Sequence, residues 1–210
     1  MRKVGLLIEG TIDEEILPCL LRGALEEILS CRNLATVFQV VFPPNGYGQI
    51  PKHLRLLTQL YRDDAERQRI GCDLFVVVHD SRGTDRIQKE VRCILESAVD
   101  FPAVYGLAIQ EIEAWVLGDA VNVNRRVFKV HPQPKLPCSP EKDGDPKRTL
   151  NDLFVRVSTA IDYDSWNREC ARLVAPHLRH SQVAFQCPKG FGSLLAGLRL
   201  RCKRLSGHIA

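Results

Sequence analysis

Three apolar runs in this chain each end on a carboxylate. Glu9 closes "VGLLIEG", Asp80 closes "FVVVHDSRGTD", and Glu111 and Glu113 follow "AVYGLAIQEIEAW". Carboxylates gathered at one point repel one another. A hard divalent cation, Mg²⁺ or Mn²⁺, removes that repulsion and prefers oxygen ligands. Such an ion polarises a phosphoryl oxygen or activates a water for in-line attack. Gly10, directly after Glu9, lets a phosphate or the waters of a metal come close to the backbone. Glu111 and Glu113 are two residues apart, so a regular helix cannot aim both at one point. Glu113 is the preferred ligand of the two, with Glu111 in reserve. Plainer readings exist. Strand ends are exposed and polar, and acids in a first helical turn favour the helix dipole. Three such acids on the right strands weigh towards a site.

Those acids meet only if the strands lie side by side. Residues 4–8 read as a short buried strand. Thr11 with Glu14 has the capping-box spacing, so a helix is expected to start there, with three acids, Asp13 to Glu15, in its first turn. Ile16, Leu17, Leu20, Leu21, Leu25 and Ile28 continue it at helical spacing, and Pro18 invites a bend. A β-branched and aromatic strand follows at 35–42, then a turn-rich loop and an amphipathic helix over 52–69. Leu74 to Val78 lack alternation, as in a strand buried on both faces. A helix over 85–98 and a strand over 103–109 come next, and "QEIEAWVLGD" opens another helix almost at once.

Strand and helix thus alternate through the first half, which predicts an α/β fold: a Rossmann-like parallel sheet of about four strands with helices on both faces. In a 2-1-3-4 order, Glu9 and Asp80 converge at the switch point where such sheets bind ligands. The core spans 1–130. Residues 131–147 hold five prolines and no periodicity, which marks a functional or mobile loop. Helices are expected over 148–160, 165–176 and 191–204, in a helical region 148–210 packed on the core, giving one domain overall.

The 210 residues suffice for one domain with a core, and the hydrophobic and charged fractions, 45% and 26%, are those of a soluble globular protein. No apolar run approaches the roughly 20 residues of a membrane span. Glu9 interrupts the first apolar stretch, which reads as a strand and not a signal peptide; a cytoplasmic location is expected. Eight scattered cysteines without CxxC spacing read mostly as reduced core residues. The net charge of +4 permits a nucleic-acid partner without demanding one.

At "IEGTIDEE", "VVVHDSRGTD", "QEIEAWVLGD" and "PEKDGDPKRTL" the chain resembles TOPRIM domains. It is most similar to the branch related to overcoming-lysogenization-defect nucleases and to a small bacterial TOPRIM-like family carrying "EIEAW" and "DPK" segments. The resemblance runs through about residue 150 and more loosely into the helical tail. It implies a Mg²⁺-dependent nuclease hydrolysing phosphodiesters of DNA or RNA, in antiphage defence. The alternative is an inactive binding or regulatory subunit of an ATPase-linked system, with an ATPase as partner. Glu9 matches the family's general acid/base or metal-ligating glutamate, and Asp80 the first aspartate of its Asp-x-Asp motif. Arg82 stands at the second aspartate's place, with Asp85 nearby but off register. A guanidinium there repels a cation and can instead bind a phosphate directly. Lys147 looks like the family's late lysine, which stabilises charge building on a phosphate; an exposed lysine in a first helical turn explains it equally well.

Three further features have a structural and a functional reading, and a fourth only a structural one. "CPKGFGS" at 187–193 precedes a helix and offers a phosphate its N-terminus beside Lys189, but a plain turn and cap explains it better. Arg199, Arg201, Lys203 and Arg204 form either a backbone-tracking strip or a solvated helix face. His79 is a proton shuttle or a buried, hydrogen-bonded histidine. Trp115 reads as core. A receiver-like phosphoacceptor at Asp80 would need paired acids at the first strand, where "IEG" has one.

Overall fold

Four short segments pair side by side because each has an alternating or continuous run of apolar residues to bury. The computed structural model describes residues 2–30, 36–44, 46, 48–82 and 85–206, without the side chains of Arg2 and 204–206. Strands β1 (Arg2–Leu7), β2 (Thr36–Val40), β3 (Leu74–Asp80) and β4 (Ala103–Ala108) form one sheet in the order β2-β1-β3-β4. All three pairings are parallel, with Leu6 opposite both Val40 and Val76, and Asp80 opposite Ala108. The expected fold class and strand order are therefore observed. Glu9 lies just past β1, and β3 continues through His79 to Asp80.

Helices cover both faces. On one, Val4, Leu6, Val76 and Val78 meet Ile16, Leu17 and Leu20 of α1 (Thr11–Ile28) and Leu194 and Leu198 of α10 (Phe191–Ser206). On the other, Leu7, Phe75 and Val77 meet Leu54 and Leu57 of α2 (Ile50–Leu60) and Val91 and Ile94 of α4 (Asp85–Ser97). Each such buried side chain contributes about 1.5–3 kcal/mol in transfer free energy. α10 comes very close to β4: a Cβ on Gly197 would lie 2.8 Å from Val104 Cγ1.

Several local expectations are corrected. The cap of α1 is Gly10, with Thr11 already helical, and Asp13 rather than Glu14 closes it by accepting from the backbone N–H groups of Glu9 and Gly10 (3.2 and 3.1 Å). Pro18 sits inside α1 without ending it. The single helix expected over 52–69 is two, because Asp63 caps a new one, α3 (Asp64–Ile70), through Glu66 N–H. α5 starts only at Glu113 and ends at Gly118, α6 (Ala120–Val123) runs into a π-type turn over 124–128, and α7 (Pro146–Leu150) into another over 151–155. α8 (Arg168–Val174) lies within the 165–176 expectation. α9 (His180–Gln186) has no counterpart in the sequence reading, because its polar N-terminal half hides it.

Among the described residues no helix is long and apolar enough to cross a membrane. Of the seven described cysteines, Cys72, Cys170, Cys187 and Cys202 are buried; Cys31 and the Arg204 side chain lie outside the described residues. The Pro-rich segment is pinned: Glu141, buried on its short 3₁₀ turn at Pro140–Lys142, accepts from the Lys189 N–H (3.2 Å) and from the Gly190 N–H. The amides that "CPKGFGS" would offer a phosphate are thus taken by a carboxylate of the same chain.

Candidate functional site

At the carboxyl ends of β1, β3 and β4 a pocket of about 510 Å³ opens, lined in part by Glu9, Gly10, Asp13, Gly46, Asp80, Arg82, Glu111, Glu113 and Lys147. All seven residues singled out in the sequence line it. So does Asp13, which the sequence reading passed over.

Glu9 is buried and spans the switch point. One carboxylate oxygen accepts from the Asp80 N–H (3.1 Å) and the other from the Gly48 N–H (3.4 Å), so the ends of β1 and β3 and the loop after β2 meet on one side chain. The Gly46 N–H, at φ +80°, donates to the Glu9 carbonyl at 3.1 Å. Gly10 is in extended conformation, and a Cβ on it would meet Asp13 Oδ1 at an ordinary 3.7 Å, so the fold itself tolerates a methyl there.

Asp80 Oδ1 accepts from the N–H of Ile112, the residue capping α5 (3.1 Å). Burial raises its pKa from 3.8 to about 9, helped by the neighbouring charges of Asp13, Glu113, Glu9 and Glu111. Asp13 rises to about 7, mainly by burial, against the two amides that favour its charged form. Glu113 is raised too, first by burial and then by Glu111. Its Oε1 accepts from the buried Trp166 indole, 3.1 Å away. Burial first and neighbouring carboxylates second thus raise three acids of one pocket, and groups perturbed in this way cluster at functional sites.

Glu111 and Glu113 both reach the pocket because Glu111 precedes the helix. Gln110, at φ +66°, turns the chain, with its N–H held by Ser81 Oγ at 2.8 Å, and the helical phase begins only after it. Helical geometry therefore does not set one against the other. Arg82 Nη2 lies 2.7 Å from Glu111 Oε2 and 3.7 Å from Asp145 Oδ1. Asp145 caps α7 through the Arg148 N–H (3.1 Å), and Lys147 follows in the first turn, exposed at the pocket. It is thus both a first-turn residue of α7 and part of the pocket lining.

The remaining candidates are elsewhere. His79 is buried; its Nδ1–H donates to the Asp80 carbonyl (2.8 Å) and its Nε2 accepts from Tyr105 O–H (2.7 Å), the structural arrangement. Trp115 is fully buried in the core, stacked edge-on against Phe191. Arg199 pairs with Glu27 across to α1 at 2.7 Å.

Five carboxylates face two cations in this pocket, an all-oxygen donor set of the kind that hard divalent ions take. Among the described residues no three acids are closed into a ready-made metal cage. The donors fit Mg²⁺ or Mn²⁺ in type, each being a carboxylate oxygen.

No protein-family model matches the chain, and no curated protein matches it. In fold it is similar to the C-terminal region of the Burkholderia pseudomallei OLD protein, with a TM-score of 0.48 and 13% identity over 94% of this chain and 97% of that one. A likeness at that level carries no function across.

Proposed function

We propose that the pocket is a divalent-cation site for phosphodiester hydrolysis on nucleic acid, as the TOPRIM resemblance of its motifs implies. One observation carries the reading. Glu9 just past β1, Asp80 at the end of β3 and Glu113 at the start of the helix after β4 line a single pocket, where burial and then neighbouring carboxylates, Glu113 and Glu9 among them, raise the Asp80 pKa. Glu9, Asp80, Glu113 and Glu111 would hold Mg²⁺ or Mn²⁺, and Asp13 lies among them. A bound ion supplies charge neutralisation at a phosphate oxygen and a more acidic water.

The chain's own groups do the rest. The Asp80 N–H holds Glu9 in place, so the glutamate's orientation is fixed before any substrate arrives. Lys147, exposed at the rim, meets the phosphate and offsets its growing charge. Gly10 keeps the approach beside Glu9 open. Arg82, half exposed at the pocket, and Arg148, exposed on the same short helix as Lys147, would contact a nucleic-acid backbone that enters the site. Antiphage defence and a cytoplasmic location follow from the resemblance and the sequence reading.

The test is cleavage of single- and double-stranded DNA and RNA by the purified chain with Mn²⁺, alongside Glu9→Gln and Asp80→Asn. Divalent-dependent cleavage lost in both variants is expected. Activity that survives Glu9→Gln removes the role given to that residue.

A second reading has its own observation. The Arg82–Glu111 ion pair already neutralises one acid at the place where the family has another aspartate. That favours a binding or regulatory subunit, working with an ATPase partner as the resemblance implies. Tight nucleic-acid binding that persists in EDTA, with no cleavage, is its expected result.

A further inference from the structure

Arg82 is one of two cations lining the pocket and is ion-paired with one of the acids that would hold a metal. Its surroundings suggest why it is there. The guanidinium is half exposed, whereas its partner Glu111 keeps only 13% of its side-chain surface in water. A second acid, Asp145, lies 3.7 Å from the same guanidinium nitrogen. The arginine therefore sits on the pocket's mouth and the glutamate inside it. Releasing the arginine would leave Glu111 as an additional negative group next to Glu113 and Asp80, both of which already feel its charge.

A half-solvated ion pair is weak and exchanges easily. A phosphate is a better partner for a guanidinium than one carboxylate oxygen, because it accepts two parallel N–H bonds and carries more charge. We propose that Arg82 is a substrate-operated latch: an incoming phosphate draws it off Glu111, and the freed glutamate joins the divalent-cation site. Phosphate and cation then bind with positive coupling, each raising the affinity of the other by the same factor. The latch also reaches Lys147. Asp145 caps the short helix that carries the lysine, so the arginine links the turn after β3 to the segment supplying the second phosphate contact. This inference rests on the cation-site reading above.

Thymidine 3′,5′-bisphosphate is a suitable probe, since it has two phosphates and no phosphodiester to cleave. Mn²⁺ is titrated calorimetrically into the full chain with and without it, after subtracting Mn²⁺ binding to the nucleotide alone. In the wild type the bisphosphate is expected to tighten Mn²⁺ about 5- to 10-fold. In Arg82→Gln, Mn²⁺ is expected to bind more tightly from the start, and the bisphosphate to add little. In Glu111→Gln the coupling is expected to vanish, with Mn²⁺ affinity no higher than that of the unassisted wild type. Circular dichroism and melting confirm that both variants are folded. Unchanged coupling in Arg82→Gln would overturn the latch while leaving the cation site standing, because nucleotide bridging to the metal alone would then explain the effect. Absence of Mn²⁺ binding in wild type and Arg82→Gln alike would overturn the cation-site reading, and the latch with it.

Discussion

The Trp166 indole N–H donates to Glu113 Oε1 across 3.1 Å, and both residues are buried. Through this bond the helical C-terminal region reaches one wall of the carboxylate pocket. Trp166→Phe keeps most of the ring and removes the donor. We expect a loss of about 1–2 kcal/mol in stability, read by denaturant unfolding, and weaker Mn²⁺ binding by calorimetry. Glu113→Gln should make the second effect of Trp166→Phe disappear, since the indole then has no carboxylate to orient.

In EDTA, stability should fall as pH rises. Asp13 and Asp80 hold their protons in the folded chain up to about pH 7 and 9, whereas the ordinary aspartate value is 3.8. Between those limits the folded state binds more protons than the unfolded one, so the contribution is full below about pH 4 and lost on going up. Each carboxyl adds a slope approaching about 1.4 kcal/mol per pH unit while it alone stays protonated. Melting temperatures at pH 5, 7 and 9 should decline, Asp80→Asn should flatten the upper part, and Mn²⁺ should restore stability at high pH. A wild-type profile flat from pH 5 to 9 would contradict this account of the buried acids.

Two arginines paired with acids outside the pocket lining should differ sharply in worth. Asp119 is fully buried and accepts from the Arg179 backbone N–H (2.9 Å) and from its guanidinium. Asp119→Ala leaves those donors without their acceptor, at about 2–4 kcal/mol. Arg168 meets Glu14 and Glu15 of α1 at 2.8 and 2.7 Å but is 41% exposed, so Arg168→Ala should cost no more than about 1 kcal/mol. Parallel urea titrations of the two variants check the ranking.

Gly197→Ala sets helix propensity against packing. Alanine is favoured over glycine in a helix by about 1 kcal/mol. Here its methyl would lie 2.8 Å from Val104 Cγ1, a stiff β-branched side chain on the neighbouring strand. The helix or the strand must move, at a typical overpacking cost of about 1–3 kcal/mol. A net destabilisation is expected, visible as a lowered melting temperature.

The sheet was legible from the sequence because its signal is local and repeated. Unalternating "LFVVV" and the strand–helix rhythm imply a covered parallel sheet, and the strand-end acids follow from that. Asp13 was legible in principle. Extended back one turn, the stripe of Ile16, Leu17, Leu20, Leu21 and Ala24 reaches residue 13 and leaves Glu14 and Glu15 to face outward, where they meet arginines. Placing the cap at Thr11 instead of Gly10 obscured that phase. The place of Glu111 is hard to read for a similar reason, because the helix begins only after it, at Glu113. Trp166 had no local signal at all: its bond to Glu113 spans 53 positions and depends on how α8 docks. Nor did composition hint that Glu141 would occupy the amides of the glycine-containing turn.

Calorimetric titration of Mn²⁺ into the wild type and Asp80→Asn tests the central claim most directly. Saturable binding in the wild type, weakened about tenfold or more by the substitution, is the predicted result. A wild type that binds no Mn²⁺, or an Asp80→Asn that binds it equally well, would contradict the assignment of a cation to these acids.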